Sequence, residues 1–101
     1  MNRRLELHEI LIGLLGSSNV YYQPPEGLKM EYPCIRYNRS NINSGRADNF
    51  NYRNMNQYTI YVIDKKPDNP VIEKILGLER TSFDRHYVAD NLNHDVLTIY
   101  F

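Results

Sequence analysis

The pattern of apolar and polar positions divides the chain into seven elements. Leu7, Ile10, Leu11, Leu14 and Leu15 recur at helical spacing and place an apolar stripe on one side of a helix. Gly16 suits the left-handed position just past its end. A short apolar run, Val20 to Gln23, stops at Pro24-Pro25-Glu26-Gly27. Pro33 opens a strand from Cys34 to Arg39, in which Ile35 and Tyr37 alternate with Arg36 and Asn38. Gln57 to Asp64 is β-branched or aromatic on both faces, which predicts a central strand. Asn69-Pro70 has the chemistry of a helix start, Ile72, Ile75 and Leu76 are expected to share its inward face, and Gly77 is expected to end it. Thr81 to Val88 and His94 to Phe101 read as two more strands around a turn at 89–93.

The order is therefore α-β-β-β-α-β-β within one domain, 1–101. It predicts an α+β two-layer sandwich, with both helices on one face of a mixed or antiparallel sheet. Residues 40–56 stand apart. Asparagine recurs there, at Asn41, Asn43, Asn49, Asn51, Asn54 and Asn56, with Ser40, Ser44 and Gly45 adding turn character. Phe50 and Tyr52 alternate with polar neighbours, so the segment reads as a long projecting β-hairpin arm.

Composition narrows the function classes. At 101 residues a domain has limited surface to bury, so a partner that covers apolar area would add stability. Lysine plus arginine and aspartate plus glutamate each total 12, and this balance gives no global attraction to nucleic acid or to an anionic membrane. Locally, Arg36, Arg39, Arg46 and Arg53 face only Asp48, while Asp84, Asp90 and Asp95 outnumber Arg85. Separate basic and acidic zones suit head-to-tail self-association, and they equally fit scattered surface charge. One cysteine, Cys34, excludes an internal disulfide and fits a reducing compartment. No apolar run is long enough to span a bilayer, and Glu6, His8 and Glu9 break up the N-terminal stretch that superficially suggests a signal peptide.

Candidate chemistry is sparse. His86, His94 and Asp95 come near one another if the last two strands pair, which offers a metal-ligand or acid–base alternative: a small metal-dependent hydrolase. Their spacing matches no metal signature, and Asp84 is expected to share a strand face with His86 while Arg85 and Tyr87 share the other. Cys34 has no histidine assigned to activate it, and no glycine-rich phosphate loop is present. The expectation is no enzyme and no cofactor. Tyrosine and arginine are abundant, and interfaces are enriched in both.

The series Tyr32-Pro33-Cys34-Ile35-Arg36-Tyr37, then Ala47-Asp48-Asn49, Tyr58-Thr59-Ile60-Tyr61-Val62-Ile63-Asp64, Lys66-Pro67-Asp68, Ser82-Phe83-Asp84-Arg85 and Tyr87 to His94 covers nearly the whole chain. It resembles the tail-terminator or tail-completion (neck) proteins of long-tailed bacteriophages of Gram-positive bacteria. The resemblance implies a virion structural protein, present in the host cytoplasm during assembly and then in the neck. Such proteins form a hexameric ring that caps the tail tube, meets the head connector or head-closure protein above, and lets DNA pass through its lumen. A head-closure or other head–tail joining protein is the alternative within that class. Arg46, Asn49, Phe50, Tyr52, Arg53, Asp84 and Asp90 are the expected subunit contacts, with the arm reaching a neighbour.

Overall fold

The computed structural model describes residues 3–25, 27–42, 56–67 and 69–101. Helix α1 spans Arg3–Leu15, and strand β1, Val20–Tyr22, follows it. Strands β2 (Cys34–Ile42) and β3 (Asn56–Asp64), helix α2 (Val71–Leu76) and strands β4 (Thr81–Ala89) and β5 (Leu92–Tyr100) complete the order. This is the α+β succession that the hydrophobic pattern predicts.

The strands form one mixed sheet in the order β1-β2-β3-β5-β4. Only β1 runs parallel to its neighbour, with Val20 opposite Ile35 and Tyr22 opposite Tyr37. The β2–β3, β3–β5 and β5–β4 pairs are antiparallel. β3 lies at the centre of the sheet, as its two apolar faces require. The stem of the β2–β3 hairpin is paired as far as Ile42 opposite Asn56, and residues 43–55, most of the expected arm, lie outside the described residues.

Both helices pack on the same sheet face. Leu7 and Leu11 of α1 and Val71 and Ile75 of α2 join Ile35, Tyr37, Tyr58, Ile60, Val62, Leu97 and Ile99 in one buried cluster. The α1 stripe is narrower than its periodicity suggests: Leu7 and Leu11 are fully buried, while Leu14 and Leu15 are half-buried at its edge. In α2 the buried pair is Val71 and Ile75, spaced i, i+4, and Leu76 turns outward at 38% exposure. Leu76 is therefore not part of the inward face expected for it.

Turn chemistry explains the boundaries. Gly16 takes φ 77° and its N–H donates to the Ile12 carbonyl, as a left-handed helix end requires. Gly77 ends α2 as expected and does so right-handed, at φ −73° and ψ −13°. The Asn69 side-chain oxygen accepts from the Val71 N–H at 2.9 Å, and Pro70 holds helical φ at −64°. Asp90 and Asn91, at φ 54° and 62°, form the two-residue turn between β4 and β5, a conformation that asparagine and aspartate adopt more readily than most residues.

Candidate interaction surface

The register sets which side chains share the sheet face away from the helices. Arg36, Tyr61, Val96 and Arg85 stand in one row across four strands, and Cys34, Ile63, His94 and Tyr87 in the next. Cys34, Ile63 and Val96 are buried between larger neighbours. The larger side chains pair among themselves. The Arg36 guanidinium lies 4.5 Å from the Tyr61 ring centre. Tyr87 and His94 stack 4.7 Å apart at an interplanar angle of 7°, and the Arg85 guanidinium stands 5.6 Å from the Tyr87 ring centre. Such cation–aromatic stacks hold the side chains in place before any partner arrives. Burial raises the Cys34 thiol to about 11, with Arg36 opposing, so at neutral pH it is a protonated apolar filler rather than a nucleophile.

The histidine–aspartate constellation assembles only in part. A bulge between Phe83 and Arg85 leaves Asp84 outside the pairing register with β5. Beyond it the alternation resumes one residue later. Asp84 consequently turns to the open face, where its carboxylate accepts from the Thr98 hydroxyl at 2.6 Å. His86 turns to the helix face, opposite Asp95. The two do not share a face as expected; Arg85 and Tyr87 do. His86 Nδ1 and Asp95 Oδ1 are 2.7 Å apart, a contact that satisfies a carboxylate buried to 7% exposure. His94 points to the opposite face, and its Nδ1 donates to the Leu92 carbonyl at 3.1 Å. A carbonyl only accepts, so that contact fixes the proton on Nδ1. His86 and Asp95 are thus brought together and His94 is held apart from them. Among the described residues, no three histidine, cysteine or acidic side chains converge on a point.

The two sheet edges differ. β4 is nine residues long, and every side chain from Ser82 to His86 is exposed. Phe83 (44%) and Val88 (63%) present apolar surface there. Of the expected contact residues, Asp84 sits at the β4 bulge and Asp90 in the turn that ends β4, so both lie on the β4–β5 hairpin at the sheet edge. Arg46, Asn49, Phe50, Tyr52 and Arg53 lie outside the described residues. At the other edge β1 has only three residues, and Gln23 takes over where it stops: its N–H donates to the Tyr37 carbonyl and its side-chain oxygen accepts from the Arg39 N–H. A groove of about 310 Å³ opens there, lined by Gln23, Pro24, Arg36, Tyr37, Asn38 and Arg39. The Arg36–Tyr61 stack and the β4 bulge carried no signal in the sequence, because both depend on strand order and register.

No helix among the described residues is long and apolar enough to cross a membrane. Comparison with protein-family models, curated proteins and solved structures gives no match for this chain.

Proposed function

We propose that this chain is a structural subunit of a bacteriophage neck: a tail terminator whose copies close into a hexameric ring on the tail tube and meet the head connector above. In this reading it catalyses no reaction and binds no cofactor, and DNA passes through the ring without sequence-specific contact. The observation that carries the proposal is the placement of interface-type surface on opposite sides of a small sheet. One side is the long exposed edge of β4 with Phe83 and Val88; the other is the arginine-lined groove beside the short β1. A heterologous ring joins one patch to a different patch on the next copy, so it needs two such surfaces. The open face adds ordered arginine, tyrosine and histidine side chains, of which arginine and tyrosine are enriched in protein interfaces. The sequence resemblance supplies the phage context. Another neck component, a head-closure or joining protein, is the second reading, favoured by the same surfaces.

Incubation of the purified protein with tail tubes that lack a terminator separates the two. Rings seated on one tube end, followed by head attachment, are the expected result. Binding to connectors but never to tubes would replace the terminator reading with the head-closure one.

A further inference from the structure

We propose that successive copies join by strand addition, with the outer edge of β4 pairing antiparallel to the β1 edge of the next copy. This rests on the ring reading for the identity of the partner and adds which surfaces meet and how.

The hydrogen-bond phase shows what β4 offers. The Tyr100 N–H donates to the Arg80 carbonyl, so Arg80 and Ser82 turn their main-chain groups toward β5. After the bulge at Asp84, Arg85, Tyr87 and Ala89 do so. The main-chain groups of Thr81, Phe83, His86 and Val88 therefore point outward. The bulge shifts the phase so that all four side chains stand on the helix face, matching Ile99, Leu97, Asp95 and Asn93 opposite them. An edge of this length with unpaired main-chain groups is a template for another strand.

The β1 edge is complementary. Asn19 accepts from the Ile35 N–H and Gln23 donates to the Tyr37 carbonyl, so Val20 and Tyr22 face outward. The Val20 N–H is already used by the Ser18 carbonyl, which leaves the Val20 carbonyl and both Tyr22 groups. The Val20 and Tyr22 side chains also stand on the helix face, opposite Ile35 and Tyr37.

Direction and charge agree. β1 runs with β2, and β4 runs against it, through two reversals at β3 and β5 and a third into β4. A second copy set beside the first in the same orientation therefore presents β4 antiparallel to β1, with both helix layers on one side. That arrangement sets the N-terminal half of β4 beside the end of β1, where the groove opens. Asp84, on the open face, then approaches Arg36 on the same face; among the described residues the groove lining holds Arg36 and Arg39 and no carboxylate. Phe83 covers Tyr22 on the helix face. Main-chain pairing supplies affinity, and these side chains supply register.

Three variants of the full chain test the proposal by sedimentation and native mass spectrometry, with circular dichroism confirming the fold. Phe83→Pro removes the outward N–H that would face Tyr22, at a position where an edge strand tolerates proline. Asp84→Arg sets like charges against Arg36. Each is expected to raise the concentration at which copies assemble by about tenfold or more. Adding Arg36→Asp to Asp84→Arg is expected to restore assembly. A wild-type assembly unchanged by Phe83→Pro and Asp84→Arg overturns strand addition and leaves the ring reading standing. A closed two-fold dimer overturns the head-to-tail pairing. A wild-type protein that stays monomeric at every concentration overturns both.

Discussion

Replacing Leu11 with alanine tests whether the α1 stripe anchors the whole domain. Leu11 has no exposed surface and packs in the cluster that joins both helices to the sheet. The change removes three carbons, which at ~0.8 kcal/mol each lose roughly 2.4 kcal/mol of transfer free energy. The cavity left behind adds to this, for a total of about 2–5 kcal/mol. Against a domain stability on the order of 5–15 kcal/mol, that is a large share. Leu5, on the same helix, is 52% exposed and serves as the control. Leu5→Ala should cost no more than about 0.5 kcal/mol. Urea unfolding followed by circular dichroism reads both, through the midpoint at constant slope. A loss below about 0.5 kcal/mol for Leu11→Ala, or equal losses at the two positions, would refute the packing argument.

Other outcomes follow from individual side chains. Burial, and then the Arg4 charge, depress His8 below its ordinary 6.5, with Glu9 opposing. Below that pH the unfolded chain takes up a proton that folded His8 resists, so stability should fall from pH 6.5 downward and level off below the folded value. His8→Gln should flatten that part of a stability–pH curve, and an unchanged slope would assign it to other groups. Cys34, buried and held up to about 11, should resist iodoacetamide at mildly alkaline pH in the folded protein and react on unfolding; rapid native labelling would contradict its burial. His86→Ala leaves the Asp95 carboxylate without its histidine and should cost about 1–3 kcal/mol in urea melts, whereas a neutral result would show that water replaces the contact. Asn91, at φ 62°, should tolerate glycine and lose roughly 1–2 kcal/mol as valine, and equal melting of the two variants would refute the turn assignment.

Local signals in the sequence located the elements. The α1 periodicity, the Gly16 end, the Asn69-Pro70 start and the apolar richness of β3 each depend on nearby residues, and each has its counterpart in the fold. What could not be read there depends on distant pairing. β1 is too short to announce its parallel partner, and the insertion of β5 between β3 and β4 is invisible to periodicity. The single extra residue at Asp84 reverses which neighbours share a face, and so separates Asp84 from His86. His94 and Asp95 part company for a simpler reason, independent of the bulge: adjacent residues on a strand point to opposite faces. Asp84 and Asp90 stand out in the sequence by charge alone, whereas the exposed apolar surface of Phe83 and Val88 on the same strand follows from the edge position of β4, which strand order decides.

The central claim is that copies of this chain close into a ring, and native mass spectrometry combined with electron microscopy of the purified protein tests it most directly. The account predicts a single hexameric species that images as a ring with an open lumen. A protein that remains monomeric at all concentrations, or that stops at a two-fold dimer, would contradict it.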